Sequence, residues 1–179
     1  MTFEETRLKG VFIIEPERIE DERGFFARAW CEKDSRRHGI DTRFVQCNIS
    51  YNKYKGTLRG MHYQAAPYEE AKLVRCTAGS LYDVVIDIRP GSKTFLQWLS
   101  IELTAEDRKL IYIPKGFANG FQTLSDNTEV FYQMSEFYKP EYARGIRWND
   151  PQFKIDWPEK NHIMSEKDRQ WEDLDPSKL

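Results

Sequence analysis

Tyr82-Asp83-Val84-Val85-Ile86-Asp87-Ile88, followed by Arg89-Pro90-Gly91-Ser92, is the stretch whose pattern decides the fold. Tyr82, Val84, Ile86 and Ile88 recur at every second residue, the spacing at which side chains of an extended chain share one face. Proline and glycine then end the run. The same alternation returns on both sides of it. Leu99, Ile101 and Leu103 form a second strand, Ile111-Tyr112-Ile113 a third before Pro114, Thr128 to Tyr138 another, and Val11 to Ile14 one near the start. Residues 56–64 and 71–76 also read as strands. Short strands broken by Gly, Pro, Asn and Asp at such intervals predict an all-β sandwich, jelly roll or barrel.

Helix is scarce. Glu32 to His38 fits a short helix stopped by Gly39, Thr104-Ala105-Glu106-Asp107 a single turn, and Ser165 to Leu174 a C-terminal helix capped by Ser165. The chain has 179 residues, no repeat and no Gly/Ser linker, so 1–179 reads as a single domain. Five Trp, nine Tyr and eleven Phe exceed what a β core requires and favour a pocket with a stacking wall.

Net charge is −2, which gives no global field for nucleic acid. No run approaches the roughly 18 apolar residues of a membrane span, and the start, Met1-Thr2-Phe3-Glu4-Glu5, is not a signal peptide. Cys31, Cys47 and Cys76 are odd in number and lack a CxxC spacing. They read as buried thiols in a reducing compartment, which places the protein in the cytoplasm.

Gly56-Thr57-Leu58-Arg59-Gly60-Met61-His62-Tyr63-Gln64 and Ala71-Lys72-Leu73-Val74-Arg75-Cys76 carry the chemistry. A histidine removes a proton near neutral pH, while an arginine and a lysine hold phosphate or an oxyanion. That set suits carbon-acid chemistry on a phosphorylated substrate. His38 ends a charged helix and reads as solvated or capping; His162 reads as structural. His62, inside a strand, fits either a hydrogen-bonded core residue or a general base. Histidines at 38, 62 and 162 have no ligand spacing, so no metal is expected. A base needs an orienting acceptor, for which Asp83, Asp87, Asp150 and Asp168 are candidates. Asp83 and Asp87 are expected in solvent, and Asp168 equally fits a helix cap with Ser165. Tyr132 fits a core aromatic or a proton donor. Arg59 and His62 point to opposite faces of a regular strand, so both serve one pocket only if Gly60 allows a bulge.

The ordered set Asp21-Glu22-Arg23-Gly24-Phe25-Phe26, Val45-Gln46-Cys47-Asn48, Leu58 to Gln64, Lys72 to Arg75, Asp83 to Arg89, Ile113 to Ala118, Gly145 to Pro151 and Ser165 to Asp168 resembles the dTDP-4-dehydrorhamnose 3,5-epimerase family over nearly the whole chain. The resemblance implies a cupin-like jelly roll (double-stranded β-helix) with short peripheral helices. It implies a homodimer in which each pocket borrows the partner's N-terminal segment, a nucleotide-diphosphate-sugar substrate and no cofactor. It also implies that His62 is the base, Asp168 its partner, Tyr132 the acid and Lys72 the enolate stabiliser. Arg23, Phe26, Gln46, Asn48, Arg59 and Lys167 would hold the nucleotide sugar and Tyr138 would stack on its base. The expected reaction inverts C3 and/or C5 of a nucleotide-linked 4-keto-6-deoxyhexose.

Three positions depart from the family pattern. Arg28 stands where a glutamate contacts thymine, Ala143 replaces an acidic position, and Asn119 replaces the histidine of Gly-Phe-Ala-His-Gly-Phe. A donor in place of an acceptor argues for another base, so CDP and GDP carriers are alternatives to dTDP. Asn119 cannot ionise, which makes epimerisation at one centre an alternative to two. A non-catalytic sugar-nucleotide-binding cupin and a ketoisomerase of the same fold are the rival readings.

Overall fold

In a computed structural model covering residues 1–179, the alternating runs become thirteen strands with two short helices. In chain order they are β1 (Thr2–Glu5), β2 (Phe12–Glu15), β3 (Arg18–Asp21), β4 (Gly24–Ala27), α1 (Glu32–Arg37), β5 (Gln46–Asn52), β6 (Leu58–Gln64), β7 (Lys72–Ala78), β8 (Ser80–Asp87), β9 (Trp98–Thr104), β10 (Leu110–Ile113), β11 (Phe117–Thr123), β12 (Thr128–Met134), β13 (Ala143–Gly145) and α2 (Glu166–Arg169). Two antiparallel sheets result, ordered β1-β2-β10-β7-β12-β5 and β13-β6-β11-β8-β9. This is the expected jelly-roll sandwich, whose strands cross between sheets so that sequence neighbours seldom pair.

The layers follow from alternation. Val74, Cys76, Ile111, Ile113 and Val130 of the six-stranded sheet meet Leu81, Val85, Leu99, Leu103, Phe117 and Phe121 of the five-stranded one. Behind the five-stranded sheet the chain from Ile146 onward packs Phe153 and Trp157 over Val84, Ile86 and Ala118. Behind the six-stranded sheet, Ile40 after α1 closes on Phe12, Ile14, Leu73 and Tyr112. The strand β8 is therefore buried on both faces. That overturns the expectation for Asp83 and Asp87, both fully buried. The apolar face read from Tyr82, Val84 and Ile86 looks toward the C-terminal cover, and the opposite face, carrying Asp83, looks into the sandwich.

Asp87 is stabilised there by Arg89, Ser92 and Thr94 around its own turn. Burial raises its pKa, yet these donors outweigh that and hold it at about 2.

Other expectations are corrected. The C-terminal helix ends at Arg169 rather than Leu174, because Arg147 N–H captures the Glu172 carbonyl and Asp150 accepts from Leu174 N–H. The strand from Thr128 stops at Met134. Only Cys76 of the three thiols is buried; Cys47 is exposed and Cys31 half-buried, and none pairs. No helix is long and apolar enough to cross a membrane.

Beyond the two sheets, β3 and β4 pair only with each other. This hairpin holds Ile19 and Phe26 each 69% exposed, more apolar surface than a two-stranded ribbon leaves in water without a neighbour.

Candidate active site

At one end of the sandwich the sheets part around a cavity of about 610 Å³. β5 contributes Gln46 and Asn48, β6 Arg59 and His62, β7 Lys72, β11 Asn119, and β12 Tyr132; Tyr138, Arg144, Lys167 and Trp171 complete the wall. His62 and Lys72 thus face one hollow from opposite sheets, and the ten candidates His62, Tyr132, Lys72, Gln46, Asn48, Arg59, Asn119, Tyr138, Lys167 and (through His62) Asp168 are brought together.

The bulge demanded by Arg59 and His62 is present. Along the β6–β11 ladder Phe121 faces Arg59 and Asn119 faces His62, so three steps on β6 match two on β11. The extra residue returns both side chains to the inner face. Gly60 permits it: its φ is +127°, and a Cβ there would lie 2.5 Å from Gly120 Cα. Any side chain would force the two strands apart.

His62 Nε2 lies 2.6 Å from Asp168 Oδ1. The His62 side chain is 41% exposed and that of Asp168 only 7%, so the ring meets the cavity while the carboxylate sits behind it. With Nε2 engaged, no protein group bonds Nδ1, which is left as the free basic nitrogen. Asp168 also settles its other reading. Its backbone N–H donates to Ser165 Oγ at 3.1 Å, so the cap uses the main chain and leaves the carboxylate for His62. Burial raises the pKa of Asp168, but the bonds from His62, Ser165 and Trp171 prevail and hold it below the usual carboxylate range.

The Lys72 ammonium is fixed between Glu70 Oε1 at 3.1 Å and Asn119 Oδ1 at 2.7 Å. Its side chain is only 12% exposed, so the ion is dry enough to act strongly yet keeps a counter-ion. Glu70 also accepts from Gln64 N–H at 3.1 Å. Arg59 Nε donates to Asn52 Oδ1, and Gln46 bridges Asn48 to Tyr138 N–H. Tyr132 is half-buried on the inner face of β12, packed against the central core.

Glu70 and Trp171 escaped the sequence reading. Glu70 was visible in principle: two residues before Lys72 in extended chain, it points to the same side. Trp171 was visible too: three residues after Asp168 and four after Lys167, it falls on their face of the expected helix. Arg23, Phe26 and Arg28 lie on or beside the β3–β4 hairpin, exposed, and do not line this cavity. Arg23 bonds Asp21 instead. Ala143 is in the wall. His162 is structural, its Nδ1 accepting from Gln122 Nε2 at 2.8 Å and its ring packing on Trp148; His38 caps α1, exposed and stacked on Phe3.

Asp83 lies fully buried, with no hydrogen-bond partner of good geometry on either oxygen. Burial drives its pKa up to about 7, the Asn119 side chain and the Lys72 charge pulling it back only part of the way. The unfolded chain ionises this group near 3.9, so rising pH favours unfolding from there until the folded group titrates. Asp83→Asn is expected to flatten that dependence. Between pH 5 and pH 8 the native protein should lose roughly 3 kcal/mol relative to the variant. Urea unfolding across this range measures it; parallel curves for the two proteins would show that Asp83 does not titrate as described.

Comparisons with known proteins agree with this geometry. The family described as dTDP-4-dehydrorhamnose 3,5-epimerase matches residues 5–176. The chain is 44% identical over 175 residues to the dTDP-4-dehydrorhamnose 3,5-epimerase of Methanothermobacter thermautotrophicus, covering 96% of this chain and 94% of that one. Among solved structures, the Bacillus anthracis dTDP-4-dehydrorhamnose 3,5-epimerase with TDP and pyrophosphate bound has a TM-score of 0.94 at 38% identity, covering 97% and 99% of the two chains. The Legionella pneumophila dTDP-6-deoxy-D-glucose-3,5-epimerase in complex with dTDP-4-keto-L-rhamnose has a TM-score of 0.90 at 41% identity, covering 96% and 92%. Fold, cavity and sequence therefore converge, and the chain belongs to the dTDP-4-dehydrorhamnose 3,5-epimerase family.

Proposed function

We propose that the protein epimerises C3 and C5 of a dTDP-linked 4-keto-6-deoxyhexose, with His62 as base. The observation that carries this is the shared hollow of His62 and Lys72, one a hydrogen-bonded imidazole and the other a fixed ammonium. A C–H beside the C4 ketone is weakly acidic, and a positioned base contributes only about 10²–10⁴-fold. The rest comes from charge placed where the enolate oxygen forms. His62 Nδ1 takes the proton, Asp168 stabilises the resulting imidazolium, and Lys72 holds the oxygen. Tyr132 returns a proton from the other side, inverting the carbon. The cycle leaves the oxidation state unchanged.

The thymine carrier is favoured by the relatives, two of which have TDP or a dTDP sugar bound in their structures. Arg28, the donor that favours CDP or GDP, does not line its own chain's cavity and would meet a base only in a partner copy's. Turnover of dTDP-, CDP- and GDP-linked 4-keto-6-deoxyglucose decides: the expected result is epimerised product from the dTDP sugar with both centres inverted. Inversion at one centre would support the Asn119 reading, and turnover of the CDP or GDP sugar alone would overturn the carrier.

Two copies are inferred to assemble, in the cytoplasm, with each β3–β4 hairpin carrying Arg23, Phe26 and Arg28 to the other's cavity. The exposed Ile19 and Phe26 and the absence of all three side chains from their own cavity support this. Mixing inactive His62→Ala and Arg23→Ala proteins should restore activity, because one site of the mixed dimer is complete. No recovery after subunit exchange would contradict the arrangement.

A further inference from the structure

Behind the dyad, one side chain touches two of the residues above without a role in the proposed cycle. The Trp171 indole N–H reaches Asp168 Oδ1 at 3.4 Å, the oxygen that also takes His62. Its ring carries the Lys167 ammonium 5.6 Å from the centroid. The indole lies flush on the main chain of Gly145, where a Cβ would fall 2.2 Å from Trp171 Cε2. Gly145 is the residue paired directly with His62 across the β13–β6 ladder. The main chain paired with the base is thus packed by the ring that donates to the base's partner.

We propose that Trp171 is a positioning residue with two separable jobs: its N–H fixes the Asp168 carboxylate against His62, and its ring holds Lys167 at the cavity mouth for the substrate's diphosphate. This rests on the epimerase reading for its kinetic consequences only. One carboxylate oxygen shared by two donors gives His62 less negative charge than it would receive alone. Losing the indole N–H therefore leaves a stronger acceptor facing the imidazole, which binds its proton more tightly. The ring acts independently of that bond. A cation over an aromatic face is held without a salt bridge, so Lys167 stays available to an anionic ligand. Arg59, Lys72, Glu70, Arg144 and Lys167 are the charged groups around the same cavity, and none is altered in the variants below.

Trp171→Phe keeps a ring and removes the N–H; Trp171→Leu removes both. Titrating the His62 imidazole by NMR in the ligand-free protein needs no substrate, and with three histidines its signals are identified by their loss in His62→Ala. In Trp171→Phe the His62 pKa is expected to rise by roughly half a unit to one unit, the size of one neutral hydrogen bond. With substrate, kcat should fall roughly three- to tenfold at unchanged KM. Trp171→Leu should add a rise in KM. Gly145→Ala, which pushes the indole outward without touching it chemically, should reproduce the His62 shift. An unchanged His62 titration in both Trp171→Phe and Gly145→Ala overturns the first job, and an unchanged KM in Trp171→Leu overturns the second. If the native protein turned over no 4-keto sugar, the functional reading would fail while the imidazole titration still judged the positioning.

Discussion

Replacing His62 by alanine should lower solvent-hydrogen exchange beside the sugar ketone by about 10²–10⁴-fold, while binding of dTDP stays close to native. The imidazole presents its one unengaged nitrogen to the cavity, its other nitrogen being held at 2.6 Å by Asp168. No second group there can replace it: Lys72 is paired with Glu70, and Asp83 is fully buried without a hydrogen-bond partner. Loss of the base should therefore appear in kcat and hardly in affinity, the pattern of an interaction made only as the proton moves. NMR of the exchanging positions, beside a dTDP titration, separates the two. Equal loss of exchange and of dTDP binding would make His62 a structural residue.

The second large effect is expected at Lys72. Removing one donor aimed at a developing oxyanion costs about 10²–10³-fold in kcat, and Lys72→Met should fall in that range. Its surroundings complicate the single variant. Glu70 has a side chain only 5% exposed, and breaking a buried ion pair by deleting one partner destabilises by roughly 3–5 kcal/mol. The variant Lys72→Met/Glu70→Gln removes both charges and should recover much of the stability without recovering the rate. Thermal unfolding and turnover, measured on both proteins, give the comparison. A double variant that regained activity would show that Lys72 serves only to neutralise Glu70.

Much of this was legible in the sequence, for a physical reason. Period-two patterning depends on nothing but the pleat, so the strands around Val84, Leu99 and Ile111 were readable at once. So was the need for a bulge at Gly60, since side-chain parity along a strand is fixed. What the pattern could not report is which elements cover a strand's second face. Asp83 and Asp87 looked solvent-bound because their own strand does not reveal the sheet opposite. The strand Phe117–Thr123 was missed for a related reason: Asn119 and Gly120 break its apolar alternation, although all seven of its residues are buried. The helix after Ser165 was read too long because its end is set by distant partners, Arg147 and Asp150, rather than by any local stop.

In the proposed mechanism a carbanion forms next to the ketone, between an imidazole on one sheet and an ammonium on the other. Its most direct test is turnover of dTDP-4-keto-6-deoxyglucose by the native protein in deuterium oxide, with the product's ring hydrogens read by NMR. Deuterium at the inverted carbons adjoining the carbonyl is the outcome expected of a carbanion. Inverted product that retained its original hydrogens at those carbons would contradict it.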